Sequence, residues 1–159
     1  MQTLGRLLTW ALGLFLISAG VAKFAGGHVF QYIEYKSGVD LFYPYVNHLT
    51  GLAEVAAGGF ILFRRTRLAG AALASVVLVG AIGFHLSPWL GVSIPTGLTD
   101  GAASPWTAAD FASTTTSATF VMAVVAAFRT LAIVRSELHA RESASGDPRP
   151  GSVLIGASS

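Results

Sequence analysis

Lys23, Glu54 and His85 are ionisable residues set in otherwise lipid-like stretches: Lys23 closes the first apolar run, Glu54 lies early in the second and His85 late in the third. A charged group at mid-bilayer costs about 2.5 kcal/mol or more, so each requires a partner or a polar cavity. An ammonium, a carboxylate and an imidazole at similar depth can pair, hold a proton or hydrogen-bond a ligand. Together they form the candidate ligand-binding or proton-exchanging site, with no catalytic role assigned to any of them.

The elements that must position them are membrane helices. Of the 159 residues, 53% are hydrophobic and only 11% charged, with a mean hydropathy of +0.63, which is far from a soluble domain. The spacing of charges predicts an all-α fold, a four-helix transmembrane bundle with spans at about residues 4–24, 48–63, 68–90 and 111–133. Residues 1–135 would form the membrane domain, and the Ser-, Gly- and charge-rich residues 136–159 a disordered cytoplasmic tail. Arg6, the run 7–17 and the small residues Ser18, Ala19 and Gly20 mimic a cleaved signal peptide, but the run is read as a retained span.

Arginines set the orientation. Arg6 precedes the first span, Arg64, Arg65 and Arg67 fill the turn between the second and third, and Arg129, Arg135, Arg141 and Arg149 follow the fourth. By the positive-inside rule both termini are cytoplasmic and both long loops are external. At ~1.5 Å rise per residue, Lys23 lies about 25 Å from Arg6, His85 about 27 Å from Arg67 and Glu54 about 15 Å from Arg64. All three favour the outer half, and Lys23 must bend inward along its stem to meet Glu54. Their helix faces carry small residues: Gly51, Ala57 and Gly58 beside Glu54, Ala74 and Ala81 beside His85, Ala19 and Gly20 beside Lys23. Such faces look into a bundle rather than at lipid.

The first outer loop is aromatic, with Phe30, Tyr32, Tyr35, Phe42, Tyr43 and Tyr45, and Val29, Phe30 and Ile33 have the spacing of a short interfacial helix. An interfacial belt, joined by Trp89 and Trp106, is preferred over a ligand lid. Tyr43, Tyr45, His48 and Trp89 are the residues expected at the rim of any pocket.

The absence of cysteine from the chain excludes thiol–disulfide chemistry, iron–sulfur ligation and cysteine-ligated zinc. No metal site is expected. The histidines argue against haem, since only His85 lies well within a span and a His48–His85 pair would need equal depth. The Ser and Thr cluster around residues 113–119 has no base beside it in sequence and is read as helix bonding. Neither a phosphate-binding glycine loop nor a basic stripe interleaved with aromatics is present, which speaks against ATP chemistry and nucleic-acid binding.

The segments LGLFLISAGVAKFAG and GLAEVAAGGFILFRRTRLAGAALASVVLVGAIGFHL resemble the DoxX family of small four-helix membrane proteins over residues 4–90. The resemblance implies a multi-pass protein of the bacterial cytoplasmic membrane, in a family linked to quinone-dependent oxidoreductases and to anchoring of redox-defence partners. The family's recurrent Lys, Glu and His would fall on Lys23, Glu54 and His85. Two functions stay open. One is an accessory or anchoring subunit for a redox-related membrane or extracytoplasmic protein partner, embedded in the lipid bilayer. The other is a quinone-binding subunit of a membrane oxidoreductase. Transport is a weaker third reading, because no broken helices or inverted repeat appear.

Overall fold

A computed structural model describes residues 2–26, 28–99, 107 and 111–145. Its helices are α1 (Gln2–Ala25), α2 (His28–Ser37), α3 (Asn47–Leu62), α4 (Arg67–Leu86), the single turn α5 (Thr96–Thr99) and α6 (Ala118–Ser145). A π-helical turn, Phe42–Val46, leads into α3. Thr3–Ala25, Arg67–Leu86 and Ala118–Ser143 are long and apolar enough to cross a membrane, which makes the chain a membrane protein by length and composition. At 16 residues, α3 is shorter than these.

Local chemistry explains each boundary. α2 stops at Gly38, whose φ of +71° is the left-handed conformation that a helix-terminating glycine adopts without strain. The tight turn after α3 is held by donors on its last carbonyls: Thr66 Oγ1 donates to Phe60 O at 3.0 Å and Arg67 Nε to Ile61 O at 3.1 Å. α4 ends at Leu86 rather than continuing to residue 90, because Ser87 precedes Pro88 and is forced into extended backbone.

The fourth long helix begins at Ala118, not at 111. Thr114–Thr116 instead forms a strand, β2, antiparallel to Ser93–Pro95, β1, with Ile94 opposite Thr115. Three β-branched threonines in a row favour an extended ladder over a helix start. Among the described residues this small clasp is the one sheet in a mostly helical chain. At its other end α6 runs on through Ser145, so residues 136–145, expected as unstructured tail, are helical. Arg67 Nη1 meets Glu137 Oε1 at 3.5 Å and ties that extension to α4. Residues 146–159 and Trp106 lie outside the described residues.

α1 packs on α3, α3 on α4 and α4 on α6, with a lighter contact between α6 and α1. The α1–α3 seam is antiparallel and made by glycines seven residues apart on each helix. A methyl placed on Gly20 would lie 2.5 Å from Gly51 O, and one on Gly58 2.5 Å from Gly13 O. Only hydrogen fits there, so the two backbones touch. Gly70 repeats the device between α4 and α3, where a methyl would sit 2.6 Å from Ile61 N. The core between the helices is Leu12, Leu16, Ala57, Ile61, Ala71, Ala74, Leu78, Ala123, Ala126 and Ile133. Outside, large apolar side chains such as Leu7 (66% exposed), Val76 (71%) and Phe128 (71%) point away from the protein. A soluble protein could not leave so much apolar surface uncovered, whereas lipid covers it at no cost.

Candidate functional site

The glycine contacts fix where the ionisable residues fall. Gly13 opposite Gly58 and Gly20 opposite Gly51 define one register, which sets Lys23 level with residue 48, about 9 Å outward of Glu54 along α3. The lysine stem spans that offset by turning inward. Lys23 Nζ donates to Glu54 Oε2 at 2.5 Å, with side-chain exposures of 21% and 9%. Each charge has the other as its partner, as the sequence argument required.

Asn47, at the start of α3 and fully buried, locks the same corner. Its Nδ2 donates to Lys23 O at 2.7 Å, capping the end of α1, while its Oδ1 is buried with no hydrogen-bond partner among the described residues.

His85 is also buried, on the face of α4 that carries Ala74 and Leu78. Its Nδ1 lies 2.9 Å from Gly91 O. A carbonyl can only accept, so Nδ1 carries a proton and donates; Nε2 faces Ser117 Oγ at 3.4 Å, and in the neutral ring it accepts from that hydroxyl. Ser117 in turn accepts Phe120 N–H at 3.2 Å as the cap of α6. Both ring nitrogens are thus engaged within the protein. The ring fastens the end of α4 to the β1 loop and to the start of α6.

Lys23, Glu54 and His85 nevertheless border one cavity of about 580 Å³. The rest of its wall is mostly apolar, from Ala19 and Ala22 on α1, Ala53 on α3, and Val77, Gly80 and Phe84 on α4. Volume and wall match a small-molecule site, concave and apolar with a few convergent polar groups. Thr50, Thr119 and His28 add further polar atoms.

The cavity's roof is α2. Val29, Phe30 and Ile33 line it from above, and Tyr32 and Ile33 are buried against Leu90 and Ile94 of the β1 segment. Phe30 and Phe42 both meet Phe84 edge-on, at 6.4 and 5.4 Å between ring centres. The short helix expected in the first loop is present, and its apolar face covers the cavity, in the manner of the lid that the sequence reading set second to a belt.

Of the expected rim residues, Tyr43, Tyr45, His48 and Trp89 do not line the cavity. His48 stacks flat on Phe24 at 5.3 Å with Tyr43 beside it, Trp89 leans on Phe42 and Phe84, and Tyr45 is exposed. Asn47, His28 and Ser117 are the polar residues that sequence reasoning passed over. Asn47 reads as an ordinary helix-start residue and His28 as a loop residue. The base that Ser117 lacked in sequence is supplied in space by His85.

With this geometry in view, the chain was compared with known proteins: no family model, no curated protein and no solved structure matches it.

Proposed function

We propose that this protein is a four-span, DoxX-like subunit of the bacterial cytoplasmic membrane, with both termini inside, that holds a lipid-soluble ligand of the quinone class for a redox partner. The observation that carries the reading is the single cavity bordered by Lys23, Glu54 and His85. The ammonium of Lys23 can donate to a ligand carbonyl while remaining paired with Glu54, which is able to hold or release a proton as the ligand is reduced or oxidised. A neutral ion pair in an apolar chamber suits an uncharged ligand better than an ionic one. With no cysteine in the chain, electrons would reach the ligand through another protein, so the accessory and quinone-binding readings merge into one.

Purification in mild detergent, followed by solvent extraction, tests this directly: an ultraviolet-absorbing quinone should come with the wild-type protein and be depleted in Lys23→Met. A protein that carries no quinone and takes none up from vesicles containing it would defeat the ligand assignment. Orientation has its own test. Because the chain lacks cysteine, single cysteines at Ser37 and Thr66 report without background. An impermeant thiol reagent should label the first in intact cells and not the second, and the reverse pattern would invert the topology.

A further inference from the structure

We infer that the cavity is loaded sideways from the bilayer, through a gap between the outer halves of α1 and α6, and that its ligand keeps a hydrocarbon tail lying in that gap. The inference rests on the ligand reading above and adds the route and the tail.

α1 and α6 touch far less than the other neighbouring long helices. Among the described residues, their hydrogen-bonded link is Arg129, whose Nη2 donates to Gly5 O at 2.6 Å and to Thr9 Oγ1 at 2.9 Å, near the start of α1. From Arg129 to Thr119, ten residues outward, α6 rises about 15 Å. Over that stretch the inward face of α6 changes character. Ala123 and Ala126 are buried, yet Thr119, one turn beyond Ala123 on the same face, is exposed and lines the cavity. On the facing helix Ala22 is likewise exposed and lines the cavity, with Ala19 one turn inward. With so light a contact between α1 and α6, accessible residues on both helices at this level mark where the two helices have drawn apart.

The boundaries of the gap define what passes. Its floor is the Arg129 tie, and its sides are short residues, Ala19, Ala22 and Thr119, that present no bulky side chain. Above, the roof formed by Val29, Phe30 and Ile33, sealed by the Phe30–Phe84 contact and by the packing of Ile33 on Leu90 and Ile94, lies between the cavity and the outer water. A polar head drawn to Lys23 and Glu54 thus has its accessible approach through lipid, and a chain attached to it would trail out between α1 and α6.

The test compares two probes on purified protein in vesicles: a ubiquinone with its full isoprenoid tail, and the tail-less dimethoxy-methyl-benzoquinone headgroup. Ala22→Trp fills the gap from a position that is already exposed, and Thr119→Phe fills it from the other helix, so one informative variant remains if the other fails to fold. Expected is a loss of tailed-quinone affinity of about tenfold or more in either folded variant, with a clearly smaller loss of headgroup affinity. Gly83→Leu, at an exposed position of α4 outside the cavity wall where an added Cβ meets nothing within 4 Å, should alter neither. Equal binding of the tailed quinone by wild type and the gap variants, or its loss in Gly83→Leu alone, overturns the lateral route while leaving the ligand reading intact. Failure of wild type to bind either probe overturns the ligand reading itself.

Discussion

The α1–α3 seam and the cavity beside it share two helices and use small residues by opposite means. In the seam, glycines remove side chains until backbone touches backbone; in the cavity, alanines and glycines leave a chamber that no protein group fills. The difference teaches that small residues have two uses in a membrane bundle, and that one supports the other. A void of this size would collapse if α1 and α3 were free to slide. The seam denies them that freedom, and it sets Lys23 and Glu54 at a separation that only their mutual contact can satisfy.

The largest effect should come from the pair that borders both regions. Glu54→Gln or Lys23→Met leaves a buried charge unpaired and should cost about 3–5 kcal/mol if the site is dry. Thermal unfolding in detergent of the singles and the double should show the double costing less than the sum. Strict additivity would mean that the pair is incidental.

Next comes the seam alone. Gly58→Leu or Gly20→Leu drives a side chain into backbone and should destabilise by about 1–3 kcal/mol or more, or prevent folding. Gly59→Ala, one residue away with nothing within 4 Å, should stay within about 0.5 kcal/mol of wild type. Similar losses in both would erase the distinction between contact glycines and free ones.

A smaller effect is expected at the cavity's far wall. His85→Phe removes two interactions that join α4 to the Gly91 loop and to α6, at about 1–3 kcal/mol. It should loosen ligand retention without abolishing it, whereas Lys23→Met should abolish it. Equal loss of bound quinone in the two variants would return His85 to direct ligand contact. The smallest change is Tyr45→Ala: an exposed side chain away from the cavity should alter neither stability nor binding.

The Lys23–Glu54 pair was legible in the sequence because charge in an apolar run must find charge, and the depth count already required an inward-turned lysine. Helices α1 and α3 fell within two residues of their expected ends for a similar reason, being bounded by charge and glycine. The errors have physical causes too. Ser87 before Pro88 and the Thr114–Thr116 run are stop and strand signals that hydropathy ignores, so hydropathy alone makes α4 too long and starts α6 too early. Which way an aromatic points depends on packing rather than spacing, which is why Phe30 reaches the cavity while Tyr43 and Trp89 do not. The partner of His85 is a carbonyl six residues away, and no residue type advertises that.

On the four-span reading, the brevity of α3 bears on the membrane as well as on the protein. Its 16 residues rise about 24 Å, against a hydrocarbon thickness of about 30 Å. The neighbouring helices are long enough to tilt, but α3 is pinned to them by glycine contacts and cannot lengthen itself. The lipid must therefore yield on that flank, with a locally pinched leaflet whose elastic cost is fractions of a kcal/mol per Å. That cost falls when two such flanks share one dimple or when the surrounding bilayer is thin, so acyl-chain length becomes a control on where in the membrane, and beside what, this protein resides.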